Sequence, residues 1–271
     1  MKVAVVRDGA TPSAGLTRLP SRAILSGIYR QLLAHLGPQH WWPAKTPFEV
    51  VVGAILTQHT AWTNVERAIG ALRQRGLLTP QALARLPVGR LARLIRPAGY
   101  FNVKAKRLKA FLSFLFRDYG GRLTALWNEE AATLRRALLT VPGIGPETAD
   151  SILLYAGGIP VFVVDAYTKR ILARHGLVAP TAGYDEIQRL FMDRLPRHAG
   201  LYNEFHALFV RVGKEWCRGV PRCEQCPLRY LFKPLSAPAG ARASAGRRTA
   251  RTTGSRRRGS SPGRPASGRP T

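Results

Sequence analysis

The sequence has few acidic residues, few cysteines and no long apolar stretch, and each shortage excludes a class of protein. Its 271 residues include 15 Asp and Glu against 42 Lys and Arg, which gives a formal net charge of +27. No apolar stretch approaches the roughly 20 residues that a membrane-spanning helix requires. The opening residues are interrupted by charge too early for a signal peptide. We therefore expect a cytoplasmic protein with no membrane partner that binds a polyanion.

Cysteine is limited to three residues, Cys217, Cys223 and Cys226, which lie within ten positions of one another. Three neighbouring cysteines do not make a disulfide framework, and an intracellular chain would not keep one. Their spacing indicates metal or cluster ligands.

The positive charge is unevenly placed, although the part of the chain before residue 236 is basic in its own right. The segment 236–271 holds nine Arg and no acidic residue, which leaves a net charge of +18 on residues 1–235. This segment lacks large apolar residues, so it cannot bury enough surface to order itself. We predict a loose lead-in over 1–20, a domain over 21–233 and a disordered Arg-rich tail over 236–271. The excess of Arg over Lys fits phosphate binding, but an Arg-rich genome would produce it as well.

Apolar residues recur at helical spacing along most of the chain. Ser21 can cap a helix over 22–36, and Pro47 opens a nearly all-apolar helix over 48–57. Only Val161–Val164 resembles a strand, and four residues do not make a sheet. The sequence therefore predicts an all-α fold. Further helices are predicted at 61–74, 80–86, 88–95, 102–118, 128–140, 146–156, 165–174, 184–194 and 201–215.

The segment Pro142-Gly143-Ile144-Gly145-Pro146 predicts a tight hairpin between two helices. Glycine allows a left-handed turn and lets a phosphate approach the backbone closely. The exposed amides and the dipole of the helix that starts at Pro146 favour an anion, while Ile144 is expected to pack back between the helices. An ordinary αα-hairpin with a glycine turn would have the same pattern.

One carboxylate, Asp165, stands between the apolar run Val161–Val164 and the start of a predicted helix. An aspartate there commonly caps the helix, and the helix N-terminus favours its ionised form. The apolar neighbours favour the neutral form. An ionised carboxylate in a poorly solvated cleft can stabilise the positive charge that develops on a sugar and can orient a water molecule.

Together the hairpin, the loop Gly157–Pro160 and Asp165 resemble the helix-hairpin-helix, Gly/Pro-loop and aspartate signature of the endonuclease III superfamily of DNA base-excision glycosylases. The resemblance covers roughly residues 25–232. It implies a continuous helical subdomain over 45–160, a second one built from 20–44 with 161–233, and an active cleft between them. It also implies that Asp165 is catalytic and that Gly143, Ile144 and Gly145 bind double-stranded DNA containing a damaged base. We expect a monomer, associated with the nucleoid in a bacterium.

Glu147 departs from the pattern of the bifunctional members of the superfamily. These members carry a lysine two residues after the second hairpin glycine, and its amine forms a Schiff base with the sugar. The resemblance therefore implies a monofunctional glycosylase, although Glu147 could simply be a first-turn helix acid. Two alternatives stay open: an endonuclease III-like glycosylase/AP lyase for oxidised pyrimidines, and a non-catalytic helix-hairpin-helix DNA-binding protein. The Gly/Pro loop with Asp165 argues against the latter.

Two aromatic clusters, around Trp41-Trp42-Pro43 and around Gln58 to Trp62, resemble the 3-methyladenine-glycosylase branch of the superfamily. A glycosylase must flip its target base out of the stack and hold it. The indole faces of Trp41, Trp42 and Trp62 suit a cationic alkylated base, by about 0.5–2 kcal/mol. Gln58 would fill the gap in the duplex or contact the orphaned base. The tryptophans could instead be core, and Tyr100 could be core or contact.

The three cysteines occupy the place of the C-terminal iron–sulfur loop of the superfamily, here 217–232. In that pattern a fourth cysteine follows six residues after the third, where this chain has Phe232. A four-iron cluster normally takes four thiolates. The resemblance implies a structural cluster of the 4Fe–4S type. Because the fourth cysteine is replaced, three possibilities stay open: a cluster with a non-cysteine fourth ligand, a three-iron cluster, or a degenerate loop without a cluster.

Overall fold

Helices follow one another along residues 20–229, the part of the chain that the computed structural model describes. Within this range there are twelve α-helices and no strand, so the predicted all-α fold is confirmed. The predicted lead-in, the Arg-rich tail and Phe232 lie outside the described residues. The helices are α1 Arg22–Leu36, α2 Pro47–Leu56, α3 Trp62–Arg73, α4 Pro80–Arg85, α5 Val88–Leu94, α6 Phe101–Tyr119, α7 Leu123–Leu126, α8 Ala131–Leu139, α9 Pro146–Ser151, α10 Ala166–Arg174, α11 Tyr184–Met192 and α12 Ala199–Glu215.

Most helix starts follow the local capping chemistry. The hydroxyls of Ser21 and Thr46 accept hydrogen bonds from backbone amides in the first turns of α1 and α2. Such a bond satisfies one of the donors that a helix start leaves free. The helix predicted at 128–140 is shorter, because Glu130 is the residue that caps α8. The preceding helix α7 was not predicted, since four residues carry too little periodicity to be recognised.

The described helices surround two hydrophobic cores. The first core takes its buried residues from Phe48 to Val161, and the second from α1 together with residues 154–228. This division matches the predicted pairing of a continuous subdomain with a discontinuous one. The extended segment Val161–Val164 begins in the first core and continues into the second. It thereby carries the chain from one core to the other and delivers Asp165 where they meet.

The second helix of the hairpin does not stay regular over the predicted range 146–156. After Ser151, α9 widens into a π-helical turn over Ile152–Ala156. Leu153 belongs to the first core, Leu154 to the second, and the partly buried Tyr155 follows them. Turns of this kind recur at functional sites, because the extra residue changes the direction of a side chain.

No helix within residues 20–229 is both long enough and apolar enough to cross a membrane.

Candidate active site

Of the two hairpin glycines, Gly143 adopts the predicted left-handed turn and Gly145 does not. Gly143 adopts φ +86°, a left-handed conformation, and a Cβ atom there would collide with the side chain of Arg107. Gly145 is extended, and a Cβ there would meet no atom within 4 Å. Ile144 is only 4% exposed and packs in the first core. The hairpin therefore offers its backbone, rather than the Ile144 side chain, to a partner.

Gln58 lies against the hairpin, 85 residues away in sequence. Its Nε2 donates to the carbonyl oxygen of Gly143 at 3.0 Å and to the hydroxyl of Thr148 at 2.8 Å. Its Oε1 accepts a hydrogen bond from Arg107. In this arrangement the amide ties the loop after α2 to the hairpin, so insertion of Gln58 into a duplex requires these bonds to break.

A buried lysine, Lys104, binds backbone carbonyl oxygens next to the same loop. The Nζ atom of Lys104 is in hydrogen-bond contact with the carbonyl oxygens of Leu56 at 2.8 Å and Ala98 at 2.7 Å. Burial, with a smaller contribution from Arg107, lowers the pKa of Lys104 to about 8. These carbonyls end α2 and the turn before α6, so the ammonium satisfies acceptors that the helix ends leave free.

The catalytic candidate, Asp165, is the N-cap of α10. Its Oδ1 accepts a hydrogen bond from the amide of Thr168 at 2.7 Å, as the capping prediction requires. Its Oδ2 faces Nε2 of His206 at 3.7 Å, and the side chain is 11% exposed. One oxygen is thus fixed by the helix, and the other is directed towards His206.

Glu147 is electrostatically coupled to Asp165. Glu147 is exposed, yet the protein surrounds its carboxyl closely enough that burial raises its pKa to about 7, with the charge of Asp165 as the second cause. A first-turn helix acid alone would be stabilised in its charged form. The carboxyl therefore belongs to the same site as Asp165.

The three predicted tryptophans come together beside this site. The ring centroids of Trp42 lie 5.9 Å from Trp41 and 5.0 Å from Trp62, both edge to face. Tyr155 packs against Trp42 at 5.1 Å and 32°. All three indoles are partly exposed rather than enclosed in a core. Trp42 and Trp62 nevertheless pack against the first hydrophobic core.

Trp42 and Tyr155 line a pocket of about 210 Å³ together with Lys45. Its remaining walls come from Ala44, Thr46, Pro47 and Val50. The pocket therefore combines two aromatic surfaces with one cationic side chain.

Tyr100, for which core and contact roles were both open, is not a core residue. It is 73% exposed and adopts φ +44°, which is unusual for a residue with a side chain. Its neighbour Gly99 approaches Thr60, in the loop that holds Gln58.

A buried carboxylate that the sequence analysis did not single out, Asp150, connects the hairpin helix to the segment before Asp165. It has no exposed surface, and Arg135 holds it with two hydrogen bonds of 2.7 and 3.0 Å. Tyr184 and Gln188 donate to it at 2.8 and 2.7 Å. Gln188 also donates to the carbonyl oxygen of Phe162, and the hydroxyl of Tyr184 accepts from the amide of Val164.

The cysteine loop is attached to α10, the helix that Asp165 caps. Nε of Arg170 donates to the carbonyl oxygen of Cys217 at 2.7 Å, and Nη2 of Arg174 donates to that of Gly219 at 2.8 Å. Cys217 is buried, Cys223 exposed and Cys226 intermediate. Among the described residues, no group of three or more His, Cys, Asp or Glu side chains is arranged to hold a metal ion.

Comparisons with known proteins agree with this geometry. Residues 52–197 match the family model of the HhH-GPD superfamily base excision DNA repair protein. A relative named putative DNA repair glycosylase MJ1434, from Methanocaldococcus jannaschii, is 48% identical over 203 residues, which cover 74% of this chain and 92% of that protein.

Two solved structures have a similar fold. The Helicobacter pylori 3-methyladenine DNA glycosylase MagIII, bound to 1,N6-ethenoadenine, has a TM-score of 0.63 at 30% identity and covers 73% of this chain and 98% of its own. A non-covalent complex of endonuclease III with DNA has a TM-score of 0.68 at 21% identity, covering 79% and 96%. The predicted likeness to the superfamily and to its 3-methyladenine branch is thereby confirmed. The family model matches more than half of the chain and the relative is 48% identical over most of its length, so the chain belongs to the HhH-GPD superfamily of base excision DNA repair proteins and is a DNA glycosylase.

Proposed function

We propose that this chain is a monofunctional DNA glycosylase, which hydrolyses the bond between deoxyribose and a damaged base and leaves an abasic site. The observation that carries the proposal is that the residue two positions after the second hairpin glycine, Gly145, is Glu147 and not a lysine. Glu147 stands where a Schiff-base-forming member has its lysine, and a carboxylate cannot form a Schiff base.

In the proposed reaction, Asp165 acts on the sugar. Its ionised carboxylate, held at one oxygen by the Thr168 amide, stabilises the positive charge on the deoxyribose as the base leaves. The pKa of Glu147 is raised to about 7 by burial and by the charge of Asp165, so its carboxylate is basic enough to accept a proton from the attacking water. The water adds to the sugar carbon, the glycosidic bond breaks, and the base leaves with its electron pair.

An alkylated purine is the substrate class that we propose. The aromatic walls at Trp42 and Tyr155 attract a cationic ring, and the MagIII structure at 30% identity is a 3-methyladenine glycosylase bound to a modified adenine. Lys45 in the pocket repels a cation, so neutral modified purines such as 1,N6-ethenoadenine belong in the test. The partner is double-stranded DNA, bound by a monomer at the Gly143–Gly145 backbone and near Gln58.

We also propose that the loop 217–232 holds a structural iron–sulfur cluster on Cys217, Cys223 and Cys226. The thiols are cluster ligands by chemistry, but the described residues supply no complete set, and no step of the reaction passes through the cluster.

The bifunctional alternative requires a nucleophilic amine, and Lys214 is the best candidate for one. Its Nζ lies 5.7 Å from the ring centroid of Trp41, and its charge acts on the buried His206. A lyase would form a covalent imine that borohydride reduces and traps.

The test uses duplexes that each carry one lesion: 1,N6-ethenoadenine, an N-methylated purine, uracil or an oxidised pyrimidine. The wild-type enzyme should produce strand breaks only after alkali and no trapped adduct. Asp165→Asn should bind the preferred duplex with similar affinity and lose most excision, because the interaction matters chiefly in the transition state. An adduct that disappears in Lys214→Met would establish the lyase, and binding without excision of any lesion would favour the non-catalytic alternative.

A further inference from the structure

Asp165 has a buried neighbour, His206, that takes no part in the proposed reaction. His206, on α12, is 5% exposed, and its Nδ1 lies 2.6 Å from the hydroxyl of Tyr155. Its Nε2 has no hydrogen-bond partner within residues 20–229 and faces Oδ2 of Asp165 at 3.7 Å. The three side chains thus form a row from the pocket wall to the reacting carboxylate.

We infer that His206 is a positioning residue for Asp165: a neutral imidazole that accepts a hydrogen bond from the Tyr155 hydroxyl at Nδ1 and directs its Nε2–H at Oδ2 of the carboxylate. The inference rests on the proposed catalytic role of Asp165. An ionised carboxylate only accepts hydrogen bonds, so the nitrogen that faces it must carry the proton. In a neutral imidazole the other nitrogen is then an acceptor, and Tyr155 must be the donor.

The electrostatics of the row support this assignment. Burial lowers the pKa of His206; Lys214 adds to the effect, and the Asp165 charge opposes it. Burial, followed by the charges of Asp165 and Glu147, raises the pKa of Tyr155 well above its ordinary value. The phenol therefore keeps its proton and donates a hydrogen bond, while the imidazole stays neutral.

The packing of α10 against α12 holds the row in place. A Cβ atom at Gly213, two turns after His206, would collide with the ring of Tyr167 on α10. Nη2 of Arg170 also donates to the carbonyl oxygen of Gly213 at 3.2 Å. Since His206 and Asp165 belong to these two helices, their separation is fixed by this close approach.

Tyr155 belongs both to this row of side chains and to the wall of the pocket. The π-helical turn directs its ring against Trp42, in the wall of the pocket. A base that enters the pocket therefore touches a residue that is hydrogen-bonded to the partner of Asp165. His206 connects occupancy of the pocket to the orientation of the carboxylate.

The first experiment reads the tautomer without any substrate. Nitrogen-15 spectra of the histidine-labelled protein at neutral pH should show His206 as a neutral ring protonated on Nε2, identified among the six histidines by the signal lost in His206→Gln. The resonance should shift in Asp165→Asn and in Tyr155→Phe. A proton on Nδ1 alone, or on both nitrogens, overturns the assignment.

The second experiment measures single-turnover excision of the lesion that the wild type removes fastest. The amide nitrogen of Gln reaches the Nε2 position, whereas that of Asn reaches only Nδ1. His206→Asn should slow excision by about 10- to 100-fold, because the 3.7 Å contact is expected to shorten in the substrate complex to a hydrogen bond with the charged carboxylate, which Asn cannot make. Affinity and melting temperature should change little. His206→Gln should recover most of the rate, and Tyr155→Phe should fall between the two.

The outcomes separate the inference from the proposed function. If Asp165→Asn excises the base as fast as the wild type, the proposed catalytic role of Asp165 fails and the inference fails with it; if the wild type excises no lesion, the proposed function fails. If Asp165→Asn is inactive while His206→Asn matches the wild type, only the inference fails. His206 would be a packing residue if His206→Asn and His206→Gln lost excision rate to the same extent and each loss equalled the loss of folded protein. If His206→Asn does not fold, Tyr155→Phe and His206→Gln decide the question.

Discussion

Replacement of Asp150 by Asn tests whether the buried network holds the two subdomains together. The substitution keeps the side-chain volume but removes the charge that Arg135 neutralises. It also places an NH2 group among donors from Tyr184 and Gln188. Removal of one partner from a buried ion pair typically costs about 3–5 kcal/mol. Arg135 keeps a second carboxylate, Asp185, at 3.1 Å, so we expect the lower end, about 3 kcal/mol.

For a domain of this size, that loss lowers the melting temperature by about 6–12 °C. Urea unfolding and calorimetry measure it, and Asp118→Asn is the matched control. Asp118 also pairs with an arginine through two hydrogen bonds, but the two side chains are 36% and 70% exposed, so its loss should leave the melting temperature unchanged.

Adding Arg135→Met to Asp150→Asn should restore part of the stability, because the uncompensated guanidinium is gone. If Asp150→Asn melts within about 2 °C of the wild type, the network does not carry this energy and the reasoning is wrong.

The other predictions concern the site and the loop. Since the folded pKa of Glu147 is raised from 4.5 to about 7, its contribution to stability is present below about pH 4.5 and lost as the pH rises through 7. In Glu147→Gln the melting temperature should therefore fall less between pH 5 and pH 8 than it does in the wild type. Trp42→Ala should reduce excision of alkylated bases more than it reduces folding, and an equal loss of both would make Trp42 a core residue. The protein as purified should contain iron and absorb visible light as iron–sulfur proteins do; colourless, iron-free protein that is folded and active would remove the cluster.

Local chemistry was sufficient to predict most of the helices. The Ser21 cap and the first-turn Pro47 act within four residues, so the sequence alone shows where α1 and α2 begin. The π-helical turn was missed because its cause is tertiary: Leu153 and Leu154 belong to different cores.

The candidate site was predictable only where a motif marks it. The hairpin glycines and Asp165 stand in a recognisable order, and Glu147 was noticed because it replaces a lysine. His206 and Asp150 carry no such mark, because their partners are far away in sequence: Tyr155 lies 51 residues from His206, and Gln188 lies 38 from Asp150. Only the fold brings these groups together.

The split second core has a consequence for how the chain is made on the ribosome. Leu25, Ile28 and Leu32 of α1 are buried in that core, but their partners on α10 to α12 are synthesised only after the whole first core. At about 5–20 residues per second, α1 waits on the order of ten seconds or more for them. Once Val161 has been synthesised, the first core has all of its residues, while α1 still presents an apolar face to solvent. The growing chain therefore exposes an apolar segment N-terminal to a subdomain that already has all its residues, and a translational pause before α12 would prolong that exposure.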